Sequence, residues 1–170
     1  MKKLKKLKNY LKVHNLDGYL VPKNDEYFNE YVNHSVDRLK FISNFSGSAG
    51  FALILKNKNY LFVDGRYTVQ AKIQSGNHFK IITIPKKFPK NILKPKKKIK
   101  IGFDPKLHNE KQLHFLFNFK NIILKPLKQN LIDAFWTNRP KNQVKPFFYL
   151  SKKDSGQSSQ EKISKVKKIL

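Results

Sequence analysis

Short apolar segments alternate with amphipathic helical patterns along most of this chain, and this alternation limits the fold more than any other feature. Strand-like segments rich in Ile, Val, Leu and Phe are predicted at 19–21, 51–55, 60–63, 79–84, 100–104 and 122–124. Helices are predicted from the start to about 14, in a short stretch after 35, at 67–75 and at 108–118. A polar hairpin joins the second and third strands, whereas helical crossovers join others, so we predict an α/β domain with a mixed β-sheet flanked by helices.

Apolar spacing also identifies a core. The residues predicted to be buried by the first two helices are Leu4, Leu7, Leu11, Leu39, Ile42 and Phe45. Ser35 is the predicted N-cap of the second helix, with Asp37 in its first turn, and Gly76 is predicted to end the third helix. Residues 85–98, rich in Pro and Lys, are predicted to be a solvated connection. Trp136 is predicted to close the core.

The amino-acid composition of the sequence changes near residue 138. We predict a first domain over 1–137, a linker over 138–156 and the start of a truncated middle domain over 157–170. Ser158 and Glu161 have the spacing of a capping box and predict a terminal helix. That helix has one apolar face, formed by Ile163, Val166 and Leu170. We expect it either to fold back on the first domain or to begin a second, missing one, since such a face is not buried alone.

The positive charge of the chain is typical of proteins that bind nucleic acid or an anionic membrane surface. The 36 basic and 11 acidic residues give a formal charge of +25. Only Arg38, Arg66 and Arg139 are arginine, and nucleic-acid readers favour arginine for its bidentate fork. We therefore interpret the lysines as a solvated surface produced by compositional bias, and nucleic acid as an unlikely partner. Against this background the three arginines are informative.

Other composition features exclude several classes of site. The chain has no Cys, so it has no disulfides and no thiolate metal site, which favours a cytoplasmic location. Lysines interrupt the apolar residues of the first helix, unlike the continuous core of a signal peptide. No apolar run approaches the roughly 18 residues of a membrane span. The five histidines, at 14, 34, 78, 108 and 114, lack metal-ligand spacing, and we predict no metal site and no catalytic residue in this chain.

Two short motifs carry the functional candidates. The turn 44–50, Asn-Phe-Ser-Gly-Ser-Ala-Gly, is predicted to pack tightly; it lacks the lysine of a phosphate-binding loop. The segment 62–67, Phe-Val-Asp-Gly-Arg-Tyr, places Arg66 just after a strand, where α/β proteins often present functional groups. Its guanidinium could bind a carboxylate or backbone carbonyl groups, pair with Asp64 or cap a helix. Tyr67 is predicted to be core. Asp37 and Arg38 are predicted to serve a helix start and an ion pair.

Residues 16–71 resemble the N-terminal domain of the creatinase and aminopeptidase P family, and the three-domain Xaa-Pro aminopeptidases most. The matching motifs in order are Gly18-Tyr19-Leu20-Val21-Pro22, Glu30-Tyr31-Val32, Asp37-Arg38-Leu39, Phe45-Ser46-Gly47-Ser48-Ala49-Gly50 and Asp64-Gly65-Arg66-Tyr67. Later landmarks also match, including Gly102-Phe103-Asp104-Pro105, Asn130-Leu131-Ile132-Asp133 and Arg139-Pro140. A single short motif would be weak evidence for the family, but several motifs in the family's order make the resemblance specific.

The resemblance implies a domain that does not itself cleave peptides. In this family catalysis belongs to a C-terminal domain, where two Asp, one His and two Glu hold two divalent metals, commonly manganese. None of those ligands has a counterpart here, so we expect the chain alone to be inactive. The family's arginine at the position of Arg66 is implicated in contacting the bound peptide, so Arg66 is the candidate substrate-binding residue.

Three functions remain open at this point. The first is the N-terminal part of a cytoplasmic, homodimeric Xaa-Pro aminopeptidase, contributing assembly contacts and one rim of the cleft for Xaa-Pro peptides. The second is a stand-alone interaction or dimerisation module. The third is a basic nucleic-acid-binding domain, which would show a steep salt dependence.

Overall fold

The computed structural model of the chain describes residues 2–117, 120–142 and 146–170. The helices are α1 (Lys2–Val13), α2 (Arg38–Ser43), α3 (Thr68–Ser75), α4 (Pro89–Ile92), α5 (Glu110–Phe117), α6 (Lys152–Ser155) and α7 (Ser159–Lys167). The strands are β1 (Gly18–Pro22), β2 (Gly50–Leu55), β3 (Asn59–Asp64), β4 (Lys80–Ile84), β5 (Ile99–Phe103) and β6 (Ile122–Pro126). The six predicted strands are confirmed. The predicted end of the helix at 118 lies outside the described residues.

The strands form one mixed sheet in the order β4-β3-β2-β1-β5-β6. Only β2 runs against its neighbours in this sheet: it pairs antiparallel with β1 and β3, while the β3–β4, β1–β5 and β5–β6 pairs are parallel. The chain moves from β1 towards β4 on one side and later returns to place β5 on the other side of β1. The strands that follow β1 in the chain therefore lie on one side of it, and β5 and β6 lie on the other side.

Helices cover both faces of the sheet, because its side chains alternate between two cores. Tyr19 and Val21 of β1 join α1 and α2 in one core, whereas Leu20 joins α5 in the other. The predicted stripe of α1 is confirmed, with Leu7 and Leu11 fully buried. Burying each such leucine contributes about 1.5–3 kcal/mol. The predicted burial of Leu39, Ile42 and Phe45 is confirmed as well.

The start of α2 differs from the prediction. Ser35 is not the N-cap; Asp37 is, and its Oδ1 accepts a hydrogen bond of 3.0 Å from Lys40 N. Ser35 lies two residues earlier, where its backbone N–H donates to Asn33 Oδ1 at 2.9 Å. The Asp37 carboxylate accepts from the exposed amides of the helix start and complements the helix dipole.

Two connections contain structure that the sequence did not suggest. The predicted solvated connection 85–98 includes α4, and Leu93 at its end is buried in the second core. The range 138–156 includes α6, while residues 143–145 lie outside the described residues. The capping box of α7 is confirmed: Ser158 and Glu161 exchange hydrogen bonds of 2.8 Å and 3.2 Å.

Trp136 closes the first core, as predicted. It is 9% exposed and stacks on Phe41 with ring centroids 4.4 Å apart. The predicted ion pair of Arg38 holds this closure in place.

The Arg38 guanidinium binds both oxygens of Asp133, at 2.9 Å and 2.8 Å, and also reaches Glu26 at 2.9 Å. Arg38 is only 4% exposed. Burial opposes its charge, but the carboxylates raise its pKa further. Arg139 also reaches Asp133, at 3.3 Å. Arg38 therefore ties Asp133 to Glu26 in the loop after β1, and Arg139 binds the same aspartate.

Candidate functional site

The candidate residues gather at one edge of the sheet. The parallel strands β1, β3 and β5 all end there, and antiparallel β2 begins there at Gly50. The chain leaves β1 at Lys23, β3 at Gly65 and β5 at Asp104. Ligands of open α/β sheets bind outside the carboxyl ends of strands, so this edge is where a functional site is expected.

Arg66 stands at this edge, in a short 3-10 turn after β3. Its Nε and its backbone N–H both donate to Asp64 Oδ1, each at 2.9 Å. The side-chain hydrogen bond from Arg66 is the main reason that the pKa of Asp64 is lowered. The predicted pairing with Asp64 is thus present. The side chain remains 75% exposed, and its two terminal amino nitrogens donate a hydrogen bond to none of the described residues.

Asp64 therefore orients the guanidinium without covering it. The bond uses Nε, and the outer face with its four N–H donors points away from the pair. Such a fork is suited to a carboxylate or to backbone carbonyl groups. The arrangement is compatible with the predicted peptide contact of Arg66 as well as with a local structural pair.

The glycine-rich turn 44–50 packs against this site. A Cβ on Gly50 would lie 2.6 Å from the carbonyl oxygen of Phe62, so the close approach of β2 and β3 requires glycine. Tyr67 packs its ring on the first core, edge-on to Phe45, as predicted for a core residue. Its hydroxyl shares a hydrogen bond of 2.8 Å with Ser48 Oγ. Tight packing, the structural role predicted for this turn, is confirmed.

The loop after β1 presents aromatic side chains at the same edge. Tyr27 and Tyr31 are 83% and 85% exposed, and Phe28 has a left-handed φ of 58°. Asp25 holds this conformation: it accepts hydrogen bonds from Tyr27 N at 3.0 Å and from the amide and side chain of Asn29. Burial opposes the charge of Asp25, but these hydrogen bonds lower its pKa. An exposed phenylalanine held in a strained conformation indicates a rigid, displayed loop.

A pocket of about 190 Å³ opens between this loop and α5. Its walls include Lys23, Asn24, Ser48, Phe51, His108 and Gln112. The strand residues in its wall belong to the carboxyl end of β1 and the start of β2. The shared residue Ser48 joins the pocket to Tyr67 and so to the segment that carries Arg66.

Two side chains of this pocket have buried polar atoms without partners. Among the described residues, neither ring nitrogen of His108 nor Oε1 of Gln112 has a hydrogen-bond partner. His108 is 8% exposed, and burial lowers its pKa to about 4, against smaller opposing effects of Gln112 and Asp104. The Gln112 side chain lies close enough to His108 to favour its charged form, so these two buried groups face each other.

Asp37 and Arg38, the remaining candidate residues, do not present ligand-binding groups at this edge of the sheet. Asp37 caps α2 and pairs with Lys23 at 2.6 Å, and Arg38 forms the ion pairs described above. Within the described ranges, no three His, Asp or Glu side chains cluster as metal ligands would. Those ranges also hold no helix that is both long enough and apolar enough to cross a membrane.

The pocket residues His108 and Gln112 were not predicted from the sequence as a site. His108 was considered only as a metal ligand. The available signal was its position five residues after the last residue of a buried strand, but a site there becomes evident only when the order of the strands is known.

Comparison with known sequences supports the resemblance. The sequence model of the creatinase/prolidase N-terminal domain matches residues 3–133. A probable Xaa-Pro aminopeptidase P of Coprinopsis cinerea is 37% identical over 98% of this chain, and aminopeptidase P1 of Lotus japonicus is 32% identical over 91%. This chain spans 28% and 24% of those relatives, about a quarter of their length.

Comparison with solved structures supports the fold. The X-prolyl aminopeptidase of Caenorhabditis elegans, described as a cytosolic enzyme with a di-nuclear active site, matches 99% of this chain with a TM-score of 0.78 and 28% identity. The match covers 30% of that enzyme. The N-terminal domain of the peptidase PepQ of Mycobacterium tuberculosis matches 78% of this chain and 97% of its own length, with a TM-score of 0.58 and 20% identity.

The family match covers most of the chain, its relatives are aminopeptidases P, and the mixed sheet with its flanking helices is shared with solved members. This chain therefore belongs to the creatinase/prolidase N-terminal domain family, as an N-terminal domain of aminopeptidase P-like enzymes.

Proposed function

We propose that this chain is the non-catalytic N-terminal domain of a cytoplasmic metalloaminopeptidase that removes the residue preceding proline. One observation supports it most: an exposed, oriented arginine at the carboxyl edge of the sheet, in a domain of this family. The described residues do not fit a di-metal site, so the hydrolytic chemistry is assigned to the rest of such an enzyme. The role of this domain is to bind and orient the peptide.

In this proposal Arg66 contacts the peptide substrate. Asp64 fixes Nε, which limits the rotation of the side chain, and the outer guanidinium donors reach into solvent. A prolyl peptide offers carbonyl groups and a terminal carboxylate, and has no N–H at proline. The outer guanidinium of Arg66 supplies donors that match these acceptors at a fixed position.

A chimera tests this proposal. Residues 2–170 replace the matching segment of the Caenorhabditis elegans enzyme, and release of the first residue from Xaa-Pro peptides is measured with manganese and after chelation. We expect metal-dependent activity. Arg66→Ala should raise KM about 10- to 100-fold with little change in kcat, since it removes a charge-assisted hydrogen bond to bound substrate.

Lys72→Ala is the matched control, because Lys72 is an exposed cation on the neighbouring helix α3. Its KM should not change. An unchanged KM in Arg66→Ala would remove Arg66 from the site. A folded chimera without any release of the first residue would contradict the role of the domain in such an enzyme.

A second role, as an assembly or dimerisation domain, is favoured by an exposed apolar surface. Phe147, Phe148 and Tyr149 are 83–98% exposed, and Ile163 and Val166 of α7 are each 55% exposed. Exposed apolar side chains of this size often mark interaction sites. Sedimentation velocity should show a homodimer that Phe147→Ser/Phe148→Ser dissociates. A monomer at all concentrations would contradict this role.

A further inference from the structure

We propose that a basic groove between α1 and the turn from β2 to β3 binds a linear inorganic polyphosphate. The groove has a volume of about 790 Å³, and its cations are Lys5, Lys8 and Lys12 of α1 and Lys56 of the turn. It lies at the edge of the sheet where β3 begins, whereas Arg66 follows the end of that strand. The inference therefore concerns a different surface and does not depend on the proposed peptidase role.

The fold separates acidic from basic residues between the two edges of the sheet. Six of the eleven acidic residues lie at the carboxyl ends of β1, β3 and β5 or in the segment that follows: Asp25, Glu26, Glu30, Asp37, Asp64 and Asp104. The segments that enter β1, β3, β4 and β5, at 14–17, 56–58, 76–79 and 93–98, contain six lysines and one acid, Asp17. Compositional bias does not account for this separation, because it would affect both edges alike.

The lysines of α1 form a row along the groove. Lys5, Lys8 and Lys12 recur at helical spacing, so their backbones span about 10.5 Å at 1.5 Å per residue. The buried leucines of α1 fix the orientation of this row. Within the described ranges these three lysines form no ion pair, whereas Lys56 pairs with Asp17 at 2.6 Å. Three point charges of the groove are therefore available to an anion.

A second concavity of about 480 Å³ extends the groove past the turn. It shares Asn57, Asn59 and His78 with the first and adds two exposed cations, Lys58 and Lys80. Asn59 Nδ2 donates to the carbonyl oxygen of His78 at 2.9 Å, which ties the start of β3 to the segment before β4. Among the described residues, no aspartate or glutamate lines either concavity. A surface of this length suits an extended anion better than a single phosphate.

The lining residues favour phosphates without bases. Lysine binds phosphate as a point charge, whereas proteins that bind single-stranded nucleic acid add aromatic rings on which the bases stack. The described lining contains no arginine, and its Tyr60 is half-buried with its ring centroid 6.3 Å from that of Phe62. This composition agrees with the sequence argument against nucleic acid.

Two other anionic partners match the groove less well. A membrane surface is flat on this scale and would not enter a concave groove. An extended acidic peptide presents a charge on one face only about every 6.6 Å, at about 3.3 Å per residue, because alternate side chains point away. A polyphosphate carries a negative charge on every unit, so each lysine of the row meets one.

The test is the fluorescence anisotropy of labelled short-chain polyphosphate, titrated with the whole chain over a series of salt concentrations. We expect saturable binding with a dissociation constant on the order of 10 µM near physiological salt, as for sequence-independent binding of phosphates. If five lysines neutralise phosphates, the logarithm of the affinity should fall with that of the salt concentration with a slope of about −3.5. Amide NMR shifts at Asn57, Asn59 and His78 should locate the ligand.

Variants of the lysines measure the contribution of each wall. Lys5→Gln/Lys8→Gln/Lys12→Gln keeps residues of similar helix propensity and should weaken binding at least about tenfold, with a salt slope smaller by about 2. Lys58→Gln/Lys80→Gln should weaken binding less and reduce the slope by about 1.4. Circular dichroism establishes that each variant is folded.

The matched control removes the same charge elsewhere. Lys106→Gln/Lys111→Gln/Lys128→Gln alters three exposed lysines that do not line the groove. This variant should bind polyphosphate nearly as the wild type does, because salt screens distant surface charges. Equal weakening by this variant and by the variant of α1 would show that binding follows net charge alone, and would overturn the proposal.

Competing anions decide the class of ligand. Oligouridine, polyglutamate and phosphatidylserine vesicles should each bind more weakly than polyphosphate at the same concentration of charge. Tighter binding of any one of them would overturn the assignment to polyphosphate and support nucleic acid, an acidic peptide or a membrane instead. Orthophosphate that binds as tightly as the polymer, or anisotropy that does not saturate, would overturn the proposal as well.

Discussion

Acidification should destabilise this domain through one buried histidine, and the substitution His108→Phe should remove that sensitivity. Burial lowers the pKa of His108 to about 4 in the folded chain, whereas a histidine in the unfolded chain titrates near 6.5. Between these values the unfolded state binds a proton that the folded state does not. The free energy of unfolding therefore falls as the pH falls through this window.

The size of the effect follows from the two pKa values. Relative to pH 7, the loss at pH 4.5 is about 2.5 kcal/mol, and it approaches roughly 3.4 kcal/mol below pH 4, at 1.36 kcal/mol per pKa unit. Carboxylates such as Asp25, with lowered pKa values, lose their stabilising effect at lower pH. Their contribution is common to the wild type and the variant, so it cancels in the difference.

Urea unfolding at pH 7 and pH 4.5, monitored by the fluorescence of Trp136, measures this difference. The wild type should lose about 2.5 kcal/mol more than His108→Phe between the two pH values. His114→Phe, altered at an exposed position of the helix α5 that follows His108, should behave as the wild type. Equal losses in wild type and His108→Phe would show that the ring is protonated in the folded chain, which would refute the reasoning from burial.

Three further substitutions test the packing and the ion pairs by urea unfolding. Gly50→Ala should cost about 1–3 kcal/mol, because the new Cβ would lie 2.6 Å from the carbonyl oxygen of Phe62; an unchanged midpoint would contradict this close approach. Asp133→Asn should cost about 2–3 kcal/mol, below the 3–5 kcal/mol of a fully buried pair, since Glu26 still faces Arg38. Arg66→Ala should leave the midpoint of the isolated chain unchanged, and a large decrease would assign Arg66 a structural role.

The fold was predictable because its determinants are local. Each strand has its own run of Ile, Val, Leu and Phe, and α1 shows its buried leucines at helical spacing. The N-cap of α2 was predicted wrongly, because Ser35 and Asp37 are both good caps and only the hydrogen bond to Lys40 distinguishes them. Helix α4 was missed because Pro and Lys dominate its segment, although its buried end is set by contacts with the second core.

The candidate site was predictable only in part. Arg66 is conspicuous in a chain that otherwise uses lysine, and its place after a strand is visible in the sequence. Its pairing with Asp64 was one of several possibilities, and its role towards a peptide stays a prediction. The pocket is formed by segments that are distant in the chain, which no local pattern brings together, so its histidine could not be distinguished from the other four.

The position of β1 in the middle of the sheet has a consequence for the order of folding. Its antiparallel partner β2 follows soon in the chain, so the β1-β2-β3 meander can form early from nearby segments. Its other partner is remote: Asp17 accepts from the backbone of Lys100, 83 positions away. Distant pairings form slowly, because a long loop must close first. During synthesis on the ribosome, one side of β1 therefore stays open until β5 has emerged, and this nascent edge is where non-native association is most expected.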